Sequence, residues 1–411
     1  MNKKILMTGM LLTQGLMLNH AHADFIKDSE ATLQLRNFYV DRDYEGNIVK
    51  DQENWSQSAS LIAKSGYTDD KLLQVGMDAS IRYAVRLNED KHAPNFIMPY
   101  DPVTQTQDPD QLKLGGTLKL KKSKTELKIG ELLPKNPVVH IDESRQLPTT
   151  FLGAMLESSD IKDTKLTLGR ITKVNARDDD HYKDLSLTNG KVVAHSDGFN
   201  LFGVEHKFTP EITGTYYYGG LEDIYNQHFA GVTYQPKLSD NLSLRSDLYY
   251  FNTRDTGESL AGKIDNDVVS TLNVLTYGNH KFGLGYRQQF GDTGYPALNG
   301  WVPQLYLANW TVSVFSKPHE RSFQFRYDYD MKGIGLDGLN LLLRYYKADN
   351  ADLGAIKNGK EDEFDLLLSY KIPETYIKGL NFQWLHAKAT TDFGPDFTEN
   401  RIALTYNYKF K

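Results

Sequence analysis

Eight arginines, Arg36, Arg82, Arg86, Arg245, Arg287, Arg326, Arg344 and Arg401, share one property: each stands opposite the apolar residues of its own segment. A guanidinium suits a carboxylate, because its planar fork donates paired hydrogen bonds and keeps its charge. A row of such groups offers a carboxylate successive stations, and no bond need be made or broken. The same residues have a plainer use. Asp78, Asp247, Asp328, Asp330, Glu363 and Asp365 lie on the same faces and could pair with arginines to brace a wall. Arg287, Arg344, Arg82 and Arg86 are the better candidates for a solute track. No acid of that face stands two residues from them on their own segment; Asp78 lies farther off from Arg82 and Arg86. Lys173 joins the set if segment 164–174 runs without a bulge.

The elements that position these side chains are strands. In 72–87, Leu73, Val75, Met77, Ala79, Ile81, Tyr83, Val85 and Leu87 alternate with Gln74, Gly76, Asp78, Ser80, Arg82, Ala84 and Arg86. A helix would scatter those apolar residues around its circumference, whereas a strand puts them on one face. The pattern recurs at 111–121, 279–290, 321–331, 338–347 and 361–371. It closes the chain with Ile402, Leu404, Tyr406, Tyr408 and Phe410, before a final Lys411.

About nineteen such runs can be counted, and a membrane barrel tests the list. Bacterial single-chain barrels carry an even strand number, with short turns at one end and long loops at the other. Short turns fall near 66–71, 121–123, 159–163, 209–210, 237–239, 277–279, 332–337 and 372–378. Only 304–316 breaks the order. Assigning it to a loop leaves about eighteen strands and one very long connection, 291–319. The predicted fold is an all-β, transmembrane antiparallel barrel.

Composition agrees. The chain has 25 Tyr, 19 Phe and 32 Gly, yet no mature segment is apolar for the roughly 18 residues a membrane helix needs. Residues 1–23 read as an export signal: Lys3 and Lys4, an apolar stretch over 5–18, and Ala21-His22-Ala23 as a small-x-small cleavage pattern. Residues 24–411 would then form one barrel domain. Two lysines leave with the signal, taking the formal net charge of −6 further negative, which argues against nucleic acid as a partner. There is no cysteine, so no disulfide is needed in an oxidising compartment.

Several strings carry a family resemblance. They begin with Leu35-Arg36-Asn37-Phe38-Tyr39, Trp55 with Gln57, Ser65-Gly66-Tyr67-Thr68 and Gly76-Met77-Asp78-Ala79. Next come Pro137-Val138, Ser144-Arg145-Gln146-Leu147-Pro148, Phe151-Leu152-Gly153 and Leu166-Thr167-Leu168-Gly169-Arg170. The later ones are Tyr218-Gly219-Gly220-Leu221-Glu222-Asp223, Gly291-Asp292-Thr293, Leu307-Ala308-Asn309 and Arg326-Tyr327-Asp328-Tyr329-Asp330. Together they resemble the OprD-type, substrate-selective outer-membrane porins of pseudomonads and their relatives. The resemblance implies a monomeric eighteen-stranded barrel whose third and seventh outer loops narrow the channel, with a basic row along one wall. It places Asp142, Glu143, Ser144 and Arg145 of loop 133–150 at the constriction. In the long loop it points to an acid facing the basic row, for which Asp292 is the candidate and Glu320 lies just past the end. The middle of that loop is neutral and aromatic (Tyr295, Trp301, Tyr306), a departure that favours less polar solutes.

The expected function is passive passage of small carboxylate-bearing solutes, such as amino acids or aromatic acids, with carboxylate antibiotics able to share the route. The expected surroundings are outer-membrane lipid, lipopolysaccharide and the barrel-assembly machinery; no cofactor or metal is called for. The alternatives are a non-selective porin, a barrel enzyme and an adhesive barrel. Gly-x-Ser-x-Gly and His-Glu-x-x-His are both absent. Residues 41–52 resemble part of a calcium loop, but Gln52 stands where a bidentate Glu is needed, so the stretch reads as an outer acidic loop containing Arg42. Asp178-Asp179-Asp180 with His181 likewise reads as a solvated loop.

Overall fold

A computed structural model describes residues 22–70, 72–299, 304–309 and 311–410. Residues 1–21 of the expected export signal, Trp301 and Lys411 lie outside the described residues.

The first nine barrel strands are β1 (Glu30–Tyr44), β2 (Gln52–Lys64), β3 (Gln74–Arg86), β4 (Asp110–Lys122), β5 (Thr125–Leu132), β6 (Thr150–Ser158), β7 (Thr164–Asn175), β8 (Phe199–Lys207) and β9 (Ile212–Leu221). The rest are β10 (Tyr225–Tyr234), β11 (Leu242–Asp255), β12 (Asp265–Tyr277), β13 (His280–Phe290), β14 (Arg321–Asp330), β15 (Leu339–Ala351), β16 (Gly359–Lys371), β17 (Leu380–Thr391) and β18 (Phe397–Lys409). Each pairs antiparallel with its neighbours in sequence, and β18 pairs back onto β1 in the register Val40↔Arg401. The sheet therefore has eighteen strands and no free edge, which lipid demands because it cannot satisfy unpaired backbone groups. Residues 304–309 and 311–316 contain no strand, so the alternation there is a loop's.

Burial is inverted relative to a soluble sheet. On β3, Met77, Ala79, Ile81 and Tyr83 are exposed while Gly76, Ser80, Arg82 and Ala84 are buried. Leu35, Leu114, Phe282, Leu284, Phe325, Ile402 and Leu404 join the exposed apolar belt. A belt of this extent, set opposite buried polar side chains, is what a lipid-facing surface requires.

Turn order follows the expected alternation only in part: 392–396, at the long-loop end, is shorter than 65–73 at the other. At the long-loop end, 87–109, 133–149, 176–198 and 291–320 are extended, but 222–224 is a tight turn. Asp223 there takes a left-handed φ of 58°, and the Ile224 N–H returns to the Leu221 carbonyl at 3.1 Å.

The inner wall is not uniformly polar, which corrects a simple reading of the alternation. Over β6–β12 the inward residues include Phe151, Ile171, Phe199, Tyr217, Phe229 and Phe251, all buried. They share one apolar core with Val138, Val139 and Ile141 of loop 133–149 and Leu185 and Leu187 of the hairpin at 185–196. Leu298 and Leu307 of loop 291–320 complete it. Gln304 ties two of these loops by donating to the Pro137 carbonyl at 2.8 Å, and Asn299 ties the third through Ser186 at 2.7 Å. Over parts of these strands both faces are apolar, with Thr167, Gln227, Asp247, Thr253, Asn266 and Ser270 interspersed on the inner one, so alternation alone could not distinguish a wall facing water from one facing packed loops.

Candidate functional site

With that side filled by apolar packing, the charged inward side chains gather on β13–β18 and β1–β4. There a cavity of about 370 Å³ is lined by Arg42, Arg344, Glu361 and Arg401 from the wall. Four loops supply Phe96, Ser144 with Arg145, Arg177, and Thr311 to Val314 with Lys317.

Its cations are unequally compensated. Glu399, on β18, accepts from both Arg42 and Arg401. Arg177 pairs with Asp142, Lys317 with Glu361, and Arg344 with Asp365 at 2.8 Å. Five of its six cations thus share four acids in direct ion pairs and the sixth, Arg145, is left over, so the cations outnumber their paired acids by two. Arg145 makes no ion pair among the described residues. It reaches only its neighbour Ser144, at 3.3 Å to the carbonyl and 3.5 Å to Oγ, and its Nε has no partner. Burial, then the net repulsion of Arg401, Arg177 and Arg42 against Glu399, sets its pKa well below the usual guanidinium value. A buried cation penalised in this way is relieved by an incoming anion.

Local geometry explains how these groups are held. Arg42 lies directly across from Glu399 in the β1–β18 register, over the Phe397 ring at 4.5 Å. Its Nη1 donates to the Tyr44 hydroxyl at 3.2 Å. Asp142 is buried; burial pushes its carboxyl up, but Arg177 and the Ser144 hydroxyl and N–H outweigh it and hold the pKa below the usual range. Loop 291–320 rests on carboxylates of β16: Glu363 accepts the Ser313 N–H at 2.6 Å, and Asp365 accepts the Thr311 hydroxyl at 2.9 Å.

The expected track residues divide. Arg344 and Arg401 line the cavity, and Arg36 sits near Glu143, Asp142 and Arg401 with its Nε unbonded. Arg82 makes a bidentate pair with Glu131 at 2.8 and 3.0 Å. Arg287 is fully buried and holds the Asn309 and Val314 carbonyls at 2.8 and 2.9 Å. Arg245 pairs with Asp247 and Arg326 with Asp328, each two residues away on its own strand. Arg86 reaches the carbonyls of Asn88 and Gln107 at 3.3 and 3.5 Å. Lys173 is not inward: a bulge at Thr172 sets it opposite the exposed Leu152, where it pairs with Asp184. In the loops, Asp142, Ser144 and Arg145 come together, whereas Glu143 is exposed and paired with Lys135 at 2.9 Å. Asp292 pairs with Lys263 at 2.5 Å and does not approach the cavity.

Other charged positions at or near the cavity are invisible to strand parity or lie beyond the strand ends that it sets. Arg42 is not a loop residue; β1 extends to Tyr44, and the acids flanking Arg42 in sequence disguise the end of a strand. Glu399 stands two residues before Arg401 on the same face, a signal that was present. Arg177 and Lys317 follow no periodicity, because loop side chains carry none. Lys113 and Lys119 are buried inward on β4, and Lys113 donates to the Pro148 carbonyl at 3.2 Å. Asp179, Asp180 and His181 cluster, but Asp179 is paired with Lys183 and Asp180 with His181.

Comparison with known proteins fits this architecture. The family described as outer membrane porin, OprD family, matches residues 23–410. The porin-like protein GalP of Pseudomonas putida is 33% identical over 402 residues, covering 96% of this chain and 95% of its own. The crystal structure of OccAB4 from Acinetobacter baumannii is 36% identical with a TM-score of 0.89, over 93% of this chain and 98% of the other. OpdK of Pseudomonas aeruginosa, in a crystal structure with vanillate, is 32% identical with a TM-score of 0.87, over 94% and 100%. These relatives are channels rather than enzymes. The chain belongs to the OprD family of outer membrane porins.

Proposed function

We propose that this porin passes small solutes bearing a carboxylate, such as amino acids or aromatic acids, by passive diffusion. The observation that carries the reading is the cavity's excess of guanidinium charge, with Arg145 lacking any acid partner among the described residues. Loops 133–149 and 291–320 supply the narrowing, since both contribute side chains to that cavity. Arg36, Arg42, Arg145, Arg344 and Arg401 form the basic station, while Arg82, Arg287, Arg245 and Arg326 brace the wall. The aromatic acid held by OpdK is a solute of the proposed class. Cleavage of residues 1–23 and a monomeric barrel complete the proposal.

A general-diffusion pore is the competing reading, and liposome swelling separates the two. Aromatic carboxylates should enter faster than their neutral amides of equal size. Equal rates would remove the selectivity and leave the pore standing.

A further inference from the structure

Glu399 is the buried acid shared by two cations of the cavity, Arg42 and Arg401. It is 1% exposed, and its neighbour across the strand pair on β17 is Ala387, a side chain too small to fill the space. Arg42 engages it through Nε at 2.5 Å and also through Nη2. Arg401 engages it through Nε, and its two Nη atoms make no hydrogen bond among the described residues. Arg145 feels the same carboxylate electrostatically.

We infer that Glu399 is the resident counter-ion of the basic station, a positioning residue that sets how tightly the cavity holds an anion. By taking the Nε edge of Arg401 it turns that side chain's free Nη groups towards the cavity. By cancelling one charge it lowers the excess from three to two, so an entering carboxylate is attracted yet released. A channel needs both, because a site that binds too well ceases to conduct. The carboxylate part rests on the function proposed above; the effect on ion selectivity does not.

The test uses the full-length porin in planar bilayers. Glu399→Gln keeps the shape and an acceptor oxygen but removes the charge. In a potassium chloride gradient, its reversal potential should move towards anion selectivity, with the anion-over-cation permeability ratio rising about threefold. Benzoate should block single-channel current for longer than in the native protein. Glu399→Asp keeps the charge and should keep the native reversal potential while shortening benzoate block. Single-channel readings sample only folded pores, so a purely structural role cannot mimic these opposite changes. An unchanged reversal potential in Glu399→Gln overturns the inference. If the native porin shows no benzoate block but Glu399→Gln still shifts the reversal potential, the counter-ion role stands and the carboxylate reading fails.

Discussion

Arg82 on β3 and Glu131 at the end of β5 close a bidentate ion pair across the intervening strand β4, directly over Gly115. A Cβ on Gly115 would lie 2.2 Å from the Glu131 carboxylate, so only glycine leaves the bridge room. Gly130 makes the bridge possible from the other side. Its φ of 121° interrupts the alternation of β5 and turns Glu131 inward immediately after the outward Ile129.

The pair is buried, so opening it from one side should be expensive. Arg82→Ala leaves an uncompensated carboxylate and should lower stability by about 3–5 kcal/mol. Gly115→Ala should approach that loss by displacing the carboxylate. Replacing both partners, as in Arg82→Met with Glu131→Leu, should recover much of it. Urea unfolding from lipid vesicles followed by tryptophan fluorescence measures all three. A double variant no more stable than Arg82→Ala would contradict this account.

That pair also shows where the sequence is legible. Alternation on β3 placed Arg82 on the correct face, because side-chain direction is a local property of a strand. Its partner was hidden, because pairing Arg82 with Glu131 needs the register of three strands and a glycine irregularity. Lys173 failed for the same reason: the bulge at Thr172 shifts parity by one residue and leaves no compositional mark. Arg177 and Lys317 sit on loops, where position is set by long-range contacts with Asp142 and Glu361 rather than by a period. The barrel was readable; the cavity was only half so.

Arg287 should prove an anchor rather than a solute contact. It holds two carbonyls of loop 291–320 from a fully buried position, and charged hydrogen bonds of this kind contribute roughly 1.5–3 kcal/mol each. Arg287→Ala should loosen the 309–314 stretch, raising open-channel current noise and mean conductance. Anion selectivity should stay near the native value. A large selectivity change without added noise would return Arg287 to the solute track.

Glu320 makes the same loop sensitive to alkali. It is buried just before β14 and accepts the Lys317 N–H at 2.9 Å. Burial, then the nearby Glu361, raises its pKa above the ordinary 4.5, with Lys317 opposing. A carboxyl whose folded pKa is raised binds its proton more tightly in the folded state. Its stabilisation is therefore greatest at low pH and is lost as pH rises above the ordinary carboxylate range into the alkaline range. Channel noise should increase between about pH 6 and about pH 10, and Glu320→Gln should flatten that response. An identical pH dependence in the variant would assign the response to another group.

Arg145 and Arg42 should act on the same readout, although they lie far apart in sequence, because both line the cavity. Removing either charge reduces the excess in the cavity. Arg145→Gln should lower the anion-over-cation permeability ratio about threefold and slow carboxylate uptake into liposomes relative to neutral amides. Arg42→Gln should produce a loss of the same sign, with a further effect because Glu399 then leans on Arg401 alone. Arg321 provides the contrast: it is exposed and paired with Asp349 at 2.9 Å on the outward face of β14 and β15. Arg321→Gln should leave the permeability ratio unchanged. Equal effects at Arg145 and Arg321 would mean that the porin senses overall surface charge rather than a local guanidinium station.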